Sequence, residues 1–137
     1  MSVIERYRDE YGRLTSRKKK IVQLLASYSG FLGRAILRIP SIPDYLSDPE
    51  VTENKKARAD YMEEFARIAY RDIIEQCDFT ETMLELSDLA DAVMDAALNY
   101  HRAELDMDGA GQFVIIGMGK LGGGELNLSS DGDIIFL

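Results

Sequence analysis

Residues 113–137 read FVIIGMGKLGGGELNLSSDGDIIFL, and this stretch decides the fold. Phe113-Val114-Ile115-Ile116 is short, apolar and partly β-branched, the composition of a strand covered on both faces. Asp133-Ile134-Ile135-Phe136-Leu137 reads as a second strand by the same criterion. Between them, Gly117 to Asp133 holds six glycines and two serines. Glycine reaches positive φ and lets the backbone approach a ligand closely, so the segment suits a loop folded around a phosphate chain. Asp131 and Asp133 lie two apart at the entrance of a strand, where the period of two places both carboxylates on one face. Side by side they repel each other unless a cation sits between them. A hard divalent ion such as Mg²⁺ takes carboxylate and phosphate oxygens, so the pair beside a glycine loop reads as a Mg²⁺-nucleotide site. A lone Asp-x-Asp is more often a solvated turn. The glycines alone fit neither the Walker pattern, which needs Gly-Lys followed by Ser or Thr, nor the dinucleotide pattern. The combination, at this spacing, carries the reading.

Upstream the pattern is helical as far as about Met107. Ser16 can cap a helix with Ile21, Leu24, Leu25 and Tyr28 on one face, and Phe31, Leu32, Ala35, Ile36 and Ile39 extend the apolar series past Gly30. Pro40 and Pro43 stop it. The spacing of Met62, Phe65, Ala66, Ala69 and Ile73 predicts a second helix from Lys55 to about Gln76. A third, capped by Asp78, runs through Leu86, Leu89, Ala90, Val93, Ala97 and Tyr100. The polar, glycine-bearing stretch 106–111 suits a linker. The fold class is therefore α+β, with a helical region over 1–107 followed by the opening strands of a catalytic domain over 112–137. Two strands alone are marginal in water, so the sheet is expected to be truncated at Leu137.

The chain has 137 residues and a net charge of −8. Residues 1–20 carry seven basic and three acidic side chains, a local +4, which leaves −12 for the remainder. An acidic body argues against binding nucleic acid through its phosphates, a mode that needs clustered Lys and Arg. The run Arg17-Lys18-Lys19-Lys20 is read as a solvated helix face in preference to a phosphate or partner patch. Cys77 is the only cysteine, so an intramolecular disulfide and a thiolate metal cage are excluded. No apolar run approaches the ~20 residues of a membrane span, and the first residues are charged, so a cytoplasmic location is expected. His101 is the only histidine and reads as a packing or surface residue, while Tyr70 and Tyr100 read as core.

A strand, then Met118-Gly119, then eleven residues to Asp131-Gly132-Asp133 and an apolar strand is similar to the DNA polymerase beta-like nucleotidyltransferase superfamily, although that superfamily usually has Gly or Ser where Lys120 stands. Within it, Gly117 to Phe136 resembles the glutamine synthetase adenylyltransferases, whose repeated catalytic halves carry a loop close to G-x-G-K-L-G-G-x-E-L-N-x-S-S-D-x-D-L-I-F. Ser27 to Leu32, Leu37 to Pro40, Tyr70 to Ile73 and Leu86 to Ala92 resemble the helical region that precedes this loop. Gly-Met-Gly-Lys with Glu-Leu-Asn looks more like the amino-terminal half, which removes AMP, than the half that adds it.

The resemblance implies that Asp131 and Asp133 hold Mg²⁺, with ATP or ADP as nucleotide substrate or product. It implies that Gly119, Lys120, Gly122, Gly123 and Ser130 shape the loop around the phosphates, Ser130 as a candidate direct contact. Glu125 and Asn127 belong to the family pattern, and holding the loop by side-chain hydrogen bonds is the simplest role for them. The implied partners are glutamine synthetase and a PII-type regulatory protein, and the implied activity is removal of AMP from an adenylylated tyrosine, regulating nitrogen assimilation. Two departures stand out: Gly132 replaces a usual apolar residue, and the superfamily's third carboxylate comes from a later strand. The alternatives are the ATP-dependent adenylylating activity, or a non-catalytic segment that binds glutamine synthetase or a PII-type regulator.

Overall fold

The computed structural model describes residues 3–48, 61–104 and 113–137, and its architecture is α+β. The expected helix start at Lys55 and the linker at 106–111 lie outside the described residues. The chain forms two compact units that meet at Cys77 and Asp78.

The first unit holds α1 (Val3–Arg6), α2 (Arg8–Arg13), α3 (Ser16–Tyr28), α4 (Gly30–Arg38), α5 (Ser41–Tyr45) and α6 (Tyr61–Tyr70). The cap of α3 is Thr15, one residue before the expected Ser16, and its side chain accepts the Lys18 amide at 3.4 Å. Ser29 explains why the apolar series does not run on as one helix. It is extended, its amide closes α3 on the Leu25 carbonyl at 2.9 Å, and its hydroxyl accepts the Leu32 amide at 3.3 Å to open α4. The break resets the helical phase. Ile21, Val22 and Leu25 are buried on α3, and Leu32, Gly33, Ile36 and Leu37 on α4, whereas Tyr28 and Phe31 are exposed. Pro40 then opens α5, where a missing N–H costs nothing.

On α6 the buried face is only partly the expected one, for Ala66 and Ala69 are buried but Met62 and Phe65 are half-buried. Glu64 (3% exposed) and Arg67 (2%) are among its most buried residues, beside Ala66, Ile68 and Ala69. Arg67 Nε donates to Glu64 Oε1 at 2.7 Å and Arg67 Nη2 also reaches Oε1, while Tyr45 OH donates to Oε2 at 3.2 Å. Mutual neutralisation and hydrogen bonding let the two charges enter the core. At Arg71 the helix widens into a π turn, Arg71–Glu75, which ends at Gln76 in the left-handed region (φ 53°). In the basic run, Lys18 pairs with Asp44 and Lys19 lies 5.6 Å from the centroid of the Tyr11 ring, so two of its four side chains serve contacts within the unit.

The second unit holds α7 (Phe79–Glu104), β1 (Ile115–Gly117), α8 (Gly119–Gly122) and β2 (Ile134–Phe136). Asp78 caps α7 as expected, its Oδ1 accepting the Thr80 amide at 2.8 Å. Thr82, Leu86 and Ser87 are buried on α7, but Val93 and Tyr100 farther along the same helix are exposed, which corrects the expectation for Tyr100. There the helix borders a groove of about 480 Å³ lined by Asp91, Met94, Asp95, Leu98, Val114 and Ile115 among others. β1 and β2 pair antiparallel, Ile115 opposite Phe136, Ile116 opposite Ile135 and Gly117 opposite Ile134. Ladder bonds continue at Val114–Leu137 on one side and Met118–Asp133 on the other. The strands are not covered on both faces: Val114, Ile116, Ile135 and Phe136 are exposed. Among the described residues, no helix is long and apolar enough to cross a membrane.

Candidate active site

The loop between the strands is built by a sharp change of backbone direction. Met118 is extended (φ −116°, ψ 168°) and donates its amide to the Asp133 carbonyl at 2.8 Å. The next residue, Gly119, has φ +53°, a conformation that L side chains rarely adopt. One turn of helix follows, with the Gly122 amide on the Met118 carbonyl at 3.0 Å and the Gly123 amide on the Gly119 carbonyl at 3.1 Å. This turn lies against the end of β1 so closely that a Cβ on Gly122 would stand 2.4 Å from the Gly117 carbonyl oxygen. The bareness of Gly122 thus has a reason inside the loop. Gly123 meets only ordinary van der Waals distances, and Lys120 is exposed.

Two buried leucines anchor the loop from below, Leu121 and Leu126. Leu121 reaches under Gly132, where an added Cβ would lie 3.7 Å from its Cδ2. Neither close contact nor positive φ requires glycine at position 132.

After Leu126 the chain makes a turn closed by its own side chains. Asn127 Oδ1 accepts the Ser129 amide at 3.0 Å, Ser130 Oγ accepts the Asn127 amide at 3.0 Å, and the Ser130 amide donates to the Asn127 carbonyl at 3.0 Å. Asn127 thereby does hold the loop through its side chain, and the Ser130 hydroxyl takes part in the same turn. Glu125 contributes its amide, which donates to the Lys120 carbonyl at 2.7 Å.

Asp131 and Asp133 emerge from this turn, both exposed. Asp133 immediately precedes β2 and is pinned through its carbonyl to Met118, and its Oδ2 lies 3.4 Å from the position a Cβ on Gly119 would occupy. Asp131 lies two residues farther from the first strand residue and directly follows the Asn127–Ser130 turn, outside the strand pleat. As a donor set for Mg²⁺, two exposed carboxylates beside a backbone without side chains fit by chemistry: the oxygens are hard and water can complete the shell. Among the described residues, no group of three or more His, Cys, Asp or Glu is placed to share an ion. His101 is on the surface, its Nδ1 3.3 Å from Glu104 Oε2.

One residue that supports the site carries no sequence signal. Ser87, on the buried face of α7, donates its hydroxyl to the Met83 carbonyl at 2.8 Å and accepts the Leu126 amide at 3.4 Å. A serine inside a helix is ordinary, and nothing local reveals that its oxygen meets a chain segment 39 residues away.

Comparison with known proteins places these residues in a family. The family model for glutamate-ammonia ligase adenylyltransferase matches residues 44–137. A bifunctional glutamine synthetase adenylyltransferase/adenylyl-removing enzyme of Thioalkalivibrio sulfidiphilus is 43% identical over 82 residues, covering 53% of this chain and 8% of the relative. The protein of the same description from Pseudomonas syringae is 40% identical over 108 residues, covering 69% and 11%. That from Nitrosomonas europaea is 28% identical over 158 aligned positions, covering 90% and 17%. The chain spans less than a fifth of the length of these relatives, and no solved structure matches it. A match over residues 44–137, which takes in the whole strand–loop–strand unit, makes the chain a member of the glutamate-ammonia ligase adenylyltransferase family.

Proposed function

We propose that this chain supplies the phosphate-side loop and the first two metal-binding carboxylates of a nucleotidyltransferase that removes AMP from an adenylylated tyrosine of glutamine synthetase. The observation that carries the reading is the loop itself, which delivers Asp133 beside bare backbone at Gly119 and sets Asp131 at the exit of a turn braced by its own side chains. Asp131 and Asp133 would hold Mg²⁺, whose chemistry there is charge neutralisation at the transferring phosphoryl group. Gly119, Lys120, Gly122, Gly123 and Ser130 shape the phosphate side of the loop, with the Lys120 ammonium adding positive charge and the Ser130 hydroxyl near enough in sequence to reach the same ligand. In the reaction an oxygen of inorganic phosphate attacks the AMP phosphorus, the bond to the tyrosine oxygen breaks, that oxygen takes a proton, and ADP leaves.

Removal is favoured over addition by the resemblance of Gly117–Lys120 and Glu125–Asn127 to the AMP-removing half. Glutamine synthetase is the proposed macromolecular partner and a PII-type protein the proposed regulator. Nucleic acid is disfavoured by charge: residues 78–137 carry two Lys and Arg against twelve Asp and Glu, a net −10. The test uses the full native protein with AMP-modified glutamine synthetase. Phosphate-dependent release of ADP without label transfer from ATP supports the reading. Label transfer without phosphorolysis assigns the adenylylating alternative, and neither activity favours a non-catalytic binding role.

A further inference from the structure

We propose that Ser87 is a positioning residue for Asp131, acting through the Leu126 amide and the Asn127–Ser130 turn. The proposal rests on the reading of Asp131 and Asp133 as metal ligands, and it names the device that holds one of them.

Ser87 is 6% exposed and lies on the face of α7 that carries Leu86 and Thr82, both also buried. Its hydroxyl proton is committed to the Met83 carbonyl at 2.8 Å, which orients the oxygen as an acceptor. The Leu126 amide meets that oxygen at 3.4 Å, in a buried setting where water does not substitute freely. Leu126 immediately precedes the turn, and the turn is stiff: three hydrogen bonds among Asn127, Ser129 and Ser130 leave it little freedom to deform. A displacement at Leu126 is therefore carried to Asp131 as a rigid movement. On the far side, the Met118 amide holds Asp133 through the strand ladder at 2.8 Å. The backbone at Asp133 is thus held by the strand ladder, and the segment that leads to Asp131 is held by α7. Loss of either hold changes the separation of the two carboxylates, and a cation shared by both tolerates little misplacement.

The full native protein tests this with Ser87→Ala, Ser87→Thr and the pair Asp131→Asn with Asp133→Asn, using MgADP as the probe. In Ser87→Ala, hydrogen exchange in the segment 121–130 is expected to become about tenfold faster and MgADP affinity about tenfold weaker in calorimetry, the scale set by one buried amide losing its acceptor. Ser87→Thr keeps a hydroxyl that can bond the same carbonyl, and it should restore both. A combination of Ser87→Ala with Asn127→Ala should cost less affinity than the two separate losses together, because both act on one turn. Unchanged exchange at 121–130 in Ser87→Ala overturns the tether. Faster exchange with undiminished MgADP affinity leaves Ser87 merely structural and overturns the proposal too. If the double Asp variant binds MgADP as well as the unmodified protein, the ligand assignment fails and Ser87 with it. A weakened double variant beside an unaffected Ser87→Ala overturns Ser87 alone.

Discussion

Gly122 and Gly132 look alike in a glycine-rich string and are physically opposite. A methyl group at Gly122 meets the Gly117 carbonyl oxygen at 2.4 Å, a backbone atom that cannot swing away. Gly122→Ala is therefore expected to destabilise the second unit by about 1–3 kcal/mol, the range for overpacking a tight site. Gly132→Ala meets Leu121 Cδ2 at 3.7 Å, an ordinary contact, and should stay within about 0.5 kcal/mol. Thermal denaturation of the two variants side by side checks the contrast, and equal losses would refute it. The sequence shows that this loop needs glycine but not which glycine serves what. Period and spacing single out the two aspartates as candidates, because residue type limits the chemistry they can offer. The assignment of Gly122 to packing depends on where the end of β1 runs, which no local pattern records.

At the scale of elements, the places where helices stop are set by single side chains. Ser29 ends α3 and begins α4, so Ser29→Ala removes the acceptor of the Leu32 amide and should cost about 1 kcal/mol, read from the denaturation midpoint. The buried pair on α6 is the stronger case. Glu64→Ala leaves the Arg67 guanidinium at 2% exposure without the carboxylate that receives its Nε and Nη2, and breaking such a pair costs about 3–5 kcal/mol. A urea titration showing a loss under about 1 kcal/mol would mean that the pair matters little to folding. Helix spacing put Met62, Phe65, Ala66, Ala69 and Ile73 on the inner face; the structure buries Ala66 and Ala69 as expected, leaves Met62, Phe65 and Ile73 half-buried, and adds Glu64 and Arg67 to the core. Charged residues at these positions read as solvated because hydropathy values each side chain alone. Tyr45, on a separate helix, adds a hydrogen bond to the Glu64 carboxylate that helps make its burial tolerable.

For the whole molecule, the contrast between its two units is one of charge as well as of form. Residues 1–77 carry fourteen basic and twelve acidic side chains, a net +2, against −10 for residues 78–137, which together match the chain's −8. The acidic unit bears the loop, and an excess of negative charge attracts cations to it in general, so under the proposed function specificity would have to come from the two carboxylates at the loop's exit. Asp131→Asn with Asp133→Asn in the full native protein should abolish Mg²⁺-dependent turnover while far-ultraviolet circular dichroism keeps its helical signal. Normal turnover in that variant would remove the metal assignment.

Sequence alone determined the kinds of element, the strand–loop–strand core of the second unit, and the chemistry available at its loop. These follow from residue type and short-range period, both local properties of the chain. Tertiary structure decided which apolar faces are covered, why a glutamate and an arginine lie in the core, and that a serine on α7 holds the loop 39 residues later. Each of these is an encounter between distant segments, and its energy exists only once the backbone has brought them together.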